Sequence, residues 1–176
     1  MPTDPRDGPS ILITLETLVV QDPSAPRPLA DAAAALERLS WVGRPVVLAG
    51  DELLGRRLPT APDERADWVR TAFRIPDLAV AAFDEPAADR VGDATDHEAV
   101  EAWAGVGQTW RAEWLVTARA SSVGPARRAD LAVVRIGPRG LDAAATIERA
   151  DHEARDLLDA VSQILASDTF ATGPPH

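Results

Sequence analysis

The stretch EWLVTARASSVGPARRADLAVVRIGPRG, residues 113–140, decides how the whole chain is read. WLVTA (114–118) and LAVVRIG (131–137) are short aliphatic runs of the length and composition of buried strands, and SVGPARRA (122–129) between them reads as a short helix. A strand, a helix and a second aliphatic strand in close succession make a parallel crossover unit, which needs both sheet faces covered.

The same alternation runs outward in both directions. Ile11 to Leu15 reads as a buried strand, and after the Pro-rich turn DPSAPRP, Leu29, Ala33, Leu36 and Leu39 recur at helical spacing. PVVLAG (45–50) is a second strand, followed by the candidate helices DELLGRRL and DERADWVRTAF, the latter with Asp63 as its cap. DLAVAAF (77–83) supplies a third strand, HEAVEAWAGV a helix, and Leu157, Val161, Ile164 and Leu165 a closing amphipathic helix. The expected fold is a three-layer, Rossmann-like α/β domain with a mainly parallel sheet, occupying residues 10–167 between frayed ends at 1–9 and 168–176.

Composition narrows the chemistry. A chain of 176 residues fits one domain with a full core. No cysteine is present, which removes disulfides, thiolate metal sites and thiol nucleophiles. The formal net charge is −10 and every basic residue is arginine, a balance that argues against nucleic acid as a partner. No apolar stretch approaches the roughly 20 residues of a membrane span, so no membrane partner and a cytoplasmic location are expected. His97 and His152 stand far apart, with no metal-binding spacing and no Ser-His-Asp set, and are expected to be solvated. Trp68, Trp103, Trp110 and Trp114 are expected in the core or over helix junctions, and DEPAADRVGDATDHE (84–98) as a solvated acidic loop near the pocket rim.

In a parallel sheet, functional groups gather at the carboxyl ends of the strands, which should bring Thr14–Thr17, Ala49–Asp51 and Thr117–Ser122 together. At these positions the chain resembles the haloacid dehalogenase (HAD) superfamily over most of residues 10–140. TLETLV (14–19) fits the first motif, Asp-x-Asp-Gly-Thr-Leu-Val, if one position is deleted; PVVLAGD (45–51) fits the second, an aliphatic strand ending in Thr or Ser before Gly-Asp. ATDHE (94–98) is the best fit to the third, a lysine ahead of a helix, with Arg90 nearby, and residues 113–140 follow the frame of the fourth, Val-Gly-Asp, three residues, Asp.

The resemblance implies a magnesium-dependent phosphatase core, but with altered chemistry. Thr14 stands for the nucleophilic aspartate, Glu16 for the acid/base aspartate, Ala49 for the phosphate-holding hydroxyl, Ala94 for the lysine, and Ala118 and Ser122 for the two metal-binding acids. A threonine hydroxyl needs a base to act as a nucleophile, and its phosphate ester would resist the hydrolysis that an acyl phosphate undergoes. Magnesium seeks carboxylate oxygens, so no metal or other cofactor is expected unless an altered hydrolase survives.

The first expectation is therefore a non-catalytic HAD-like protein with a binding or regulatory role. The alternatives are a hydrolase using Glu16 with Asp51, and a sensor in which Arg119, Ser121, Ser122 and the helix amides hold a small anion such as phosphate. Structural roles compete at each position: Thr14 and Thr17 as backbone partners at a strand end, and Asp51, Ser121 and Ser122 as helix caps. The short connection from Val20 to Arg27 leaves no room for a large cap domain, so the crevice should be open, to a protein partner or a small anion.

Overall fold

The computed structural model describes residues 9–20, 27–50, 61–84, 96–137 and 149–171. The strands are β1 (Ser10–Thr14), β2 (Val19–Val20), β3 (Arg27–Pro28), β4 (Val46–Gly50), β5 (Val80–Asp84), β6 (Ala112–Thr117), β7 (Ala132–Ile136) and β8 (His152–Ala154). The helices are α1 (Ala30–Trp41), α2 (Pro62–Ala72), α3 (Asp96–Trp110), α4 (Ala120–Arg128) and α5 (Leu157–Ala171).

Six strands form one sheet in the order β5-β4-β1-β6-β7-β8, every pairing parallel, while β2 and β3 make a separate antiparallel pair. The chain builds outward from β1 through β4 to β5, then returns to β6 on the other side of β1 and continues to β8. The order therefore reverses at β1 and β6, where the carboxyl ends of an open sheet leave a crevice.

Alternation along β1 sorts the core into two layers. Ile11 and Ile13 join Leu36 and Leu39 of α1, Val69 of α2 and Leu157, Val161 and Ile164 of α5. Leu12 faces the other way, among Trp103 of α3 and Val123 and Ala126 of α4. All five residues of β1 are buried, which is why SILIT reads as a continuous run instead of an alternating one. The three-layer α/β expectation is what the chain adopts.

Three helices stop in one way before feeding a strand. After α1, Gly43 takes φ +68° while the Arg44 N–H bonds the Leu39 carbonyl, a Schellman ending that drops the chain into β4. Arg74 after α2 (φ 57°) and Asp130 after α4 (φ 62°) hold the same left-handed place, with Ile75 bonding Arg70 and Leu131 bonding Ala126. Only the first carries the glycine that sequence reading relies on.

Several expectations change in detail. β1 stops at Thr14, since Leu15 already begins a 3-10 turn. Residues 77–79 precede β5 instead of belonging to it. Asp63 is not a cap: α2 starts from Ala61 with Pro62 in its first turn, a place proline fills because the missing N–H has no helical acceptor there. The sixth strand, β8, at three residues, and the two-residue strands β2 and β3 are too short to announce themselves. The closing helix runs through Ala171, into the stretch expected to fray, and Asp168 on it pairs with Arg44, which also holds Glu113. The helix expected at DELLGRRL lies outside the described residues.

Trp103 is fully buried and Trp114 nearly so, with Trp68 and Trp110 packed at the core margins. His152 is not merely solvated, for its ring lies 5.7 Å from that of Trp114. His97 is exposed beside Glu101. Trp41, at the end of α1, is the tryptophan the core leaves out, at 80% exposure. No described helix is long and apolar enough to cross a membrane.

Candidate functional site

The polar residues after β1 are explained by what the chain does at Thr14. Leu15–Thr17 form a single 3-10 turn, closed by Leu18 N–H on the Leu15 carbonyl and braced by the Thr17 hydroxyl, which donates to the Thr14 carbonyl at 2.7 Å. Thr17 thus has the backbone role expected of it.

The turn swings Glu16 back over the ends of β1 and β6. Its Oε1 lies 2.5 Å from the Thr14 hydroxyl, 3.5 Å from the Thr117 hydroxyl and 3.6 Å from Arg119 Nε. Thr14 also approaches the Val116 carbonyl at 3.3 Å, but it has one proton to give, and the short contact to a carboxylate is the stronger. Thr14 and Thr117 are wholly buried; the Glu16 and Arg119 side chains keep 13% and 17% exposure. Thr117 in turn accepts the Arg119 N–H at 3.0 Å, which fixes the corner between β6 and α4.

The result is a one-sided carboxylate. Three groups converge on Oε1, whereas Oε2 is buried without a hydrogen-bond partner. The nearby positive charge belongs to Arg119, whose guanidinium leans on the same carboxylate.

Of the residues singled out from sequence, the structure brings Thr14, Glu16 and Arg119 together, and sets Ala49 opposite Thr14 in the β1–β4 register, buried and offering only a methyl group. Ala118 is exposed just past β6. Ser121 and Ser122 are not caps: α4 begins at Ala120 with Arg119 as its N-cap and no side-chain cap bond, so both serines lie inside the first turn. Ser121 is exposed, and Ser122 is buried at 1% exposure with a partner of its own. Asp51 and Ala94 lie outside the described residues.

Thr117 entered the sequence reading only as the start of the converging stretch 117–122, with no role of its own. The signal was a hydroxyl ending an otherwise aliphatic strand, which only the register of β1 against β6 turns into a partner for Glu16. Arg65 was missed: it is buried on α2 and donates to the Phe83 carbonyl at the end of β5.

The resemblance to the HAD superfamily implies magnesium. Such an ion takes an octahedron of hard oxygens anchored on carboxylates. Among the described residues, no three acidic or histidine side chains group to hold a metal, and the carboxylate at the strand ends already has Oε1 occupied by two hydroxyls and a guanidinium. The described residues do not fit that ion.

No protein-family model and no curated protein matches the chain in sequence. Solved structures do match it in fold. The D,D-heptose 1,7-bisphosphate phosphatase of B. bronchiseptica, complexed with magnesium and phosphate, is 13% identical, with a TM-score of 0.66 over 91% of this chain and 99% of that one. Its Burkholderia thailandensis counterpart is 12% identical, with a TM-score of 0.60 over 90% and 99% of the two chains. The L-2-haloacid dehalogenase of Xanthobacter autotrophicus is 15% identical, with a TM-score of 0.53 over 80% of this chain and 62% of that one. At such identities the likeness concerns architecture, and the architecture of this chain is the HAD-like, Rossmann-like α/β fold.

Proposed function

We propose that this chain is a non-catalytic HAD-like protein that uses the crevice at the ends of β1 and β6 for binding or regulation. The observation that carries the reading is the fate of Thr14. It stands where the resemblance calls for a nucleophilic aspartate, it is wholly buried, and its hydroxyl is committed to the Glu16 carboxylate 2.5 Å away. A nucleophile must reach an electrophile from an open face, and a carboxylate that activates it must then release its proton to a leaving group. Thr14 meets neither requirement in this arrangement.

Stabilisation of a transferring phosphoryl group is also poorly supported. It needs cations and hydrogen-bond donors aimed at the equatorial oxygens. Here the Thr14 and Thr117 hydroxyls and the Arg119 guanidinium turn instead toward Glu16.

The test is hydrolysis of a panel of phosphate esters with magnesium, comparing highly purified wild type with Glu16→Gln. The reading expects no turnover that separates the two proteins. Magnesium-dependent turnover that disappears in Glu16→Gln would overturn it in favour of a hydrolase using Glu16 with Asp51.

A further inference from the structure

The site selects the polarity of its ligand, and this deepening rests on the binding role just proposed. Superposed on an anion site, the crevice would present hydroxyl protons and a free positive charge. The observed hydrogen-bond directions are reversed. Thr117 receives the Arg119 N–H and points its own hydroxyl at Glu16, and Thr14 does likewise, so the protons run inward and end on one carboxylate oxygen. What remains is Glu16 Oε2, buried and without a donor, on a side chain that still has 13% exposure.

An ionised carboxylate oxygen is an acceptor only, and leaving one buried and unpaired is destabilising. Rotating the carboxyl does not relieve this, because its two oxygens only exchange places and one is still left bare. The deficit is met by a group that brings an N–H or O–H donor, and a cationic donor meets it best because it also matches the charge. A phosphate would face the carboxylate directly, with no described hydroxyl proton of β1 or β6 turned toward it.

We infer that the Glu16 crevice binds a ligand through a cationic N–H donor, an ammonium or guanidinium group, seated on Glu16 Oε2 while Thr14 and Thr117 hold Oε1. Neutralising the buried acceptor makes the occupied form more stable than the empty one, by mass action on the folded state.

The experiment is thermal unfolding and calorimetric titration of the full chain with methylammonium and agmatine at constant ionic strength. Tetramethylammonium serves as the control for a cation without an N–H, and inorganic phosphate as the control for the opposite polarity. Agmatine and methylammonium should raise Tm by about 2–4 °C at saturating concentration, with tetramethylammonium and phosphate giving no comparable shift. Glu16→Gln keeps an acceptor for Thr14 but puts an amide in place of the unpaired oxygen, and should weaken amine binding at least about tenfold. Should that variant fold poorly, Arg119→Met supplies the complementary arm: with the competing guanidinium gone from Glu16, amine binding should tighten several-fold.

Stabilisation by phosphate but not by amines would overturn the inferred polarity and leave the non-catalytic binding role standing. Equal shifts from agmatine and tetramethylammonium would overturn it as general screening of an acidic chain, as would no shift from any probe. Ester turnover lost in Glu16→Gln would instead sink the binding role itself.

Discussion

Replacing Thr14 by valine isolates the contact on which the site turns. The two side chains have nearly the same shape, so the core around β1 is kept while Glu16 Oε1 loses its 2.5 Å donor and retains contacts at 3.5 and 3.6 Å. A hydrogen bond to a charged group contributes about 1.5–3 kcal/mol, and in a chain of this size each kcal/mol moves Tm by about 2–4 °C. Thr14→Val should therefore lower Tm by about 3–12 °C. The assay is a double-mutant cycle in urea with Glu16→Ala. In that background Thr14 retains only the Val116 carbonyl at 3.3 Å, so the valine substitution should cost about 0.5–1.5 kcal/mol. The coupling energy between the positions should then be about 1–2 kcal/mol. Additivity within about 0.5 kcal/mol would refute the account, since it would mean that Thr14 serves the backbone and that Glu16 is positioned by something else.

Other consequences follow from the same geometry. Trp103→Ala should cost about 3–5 kcal/mol in equilibrium unfolding, because the ring is fully buried against Leu12, Val123 and Ala126. Trp103→Phe should cost much less, because the indole N–H it removes has no partner. Arg74→Gly should leave stability unchanged or raise it by up to about 1 kcal/mol, because Arg74 sits at φ 57° where a Cβ is strained, although glycine gives back part of the gain as chain entropy. Asp159 is held below the usual aspartate range, chiefly by the Arg155 N–H, then by the Gln163 amide and the Arg155 guanidinium, against an opposing effect of burial. A depressed folded-state value contributes stability that is present above the unfolded aspartate range and is lost as pH falls through the folded value. Asp159→Asn should accordingly lower Tm by a constant amount above pH 6 and flatten the acid limb of a Tm-against-pH profile, the two proteins converging in acid.

The sequence by itself determined the layers and the direction of the sheet. Runs such as ILIT, VVLA and LAVV are too uniformly aliphatic for a sheet with a wet face, and amphipathic helices between them permit only parallel crossovers. It also named Glu16, as a strand-end carboxylate in need of a partner, whereas Arg119 was named for a small-anion site and not as that partner. It did not reveal β8, whose three residues include one buried apolar side chain, or the helix starts at Ala61 and Arg119, where no capping side chain marks the boundary. Nor did it reveal that Arg74 and Asp130 take the left-handed place usually given to glycine.

Only the tertiary structure decided what the site is made of. Thr14 and Thr117 stand 103 positions apart and meet only because β1 and β6 are neighbours in register, and that adjacency comes from long-range strand order, which local periodicity does not encode. The same packing decided that three donors share one oxygen of Glu16 and leave the other bare. Which groups occur near a strand end is a property of the chain, whereas the direction in which their protons point is fixed when the strands pack side by side.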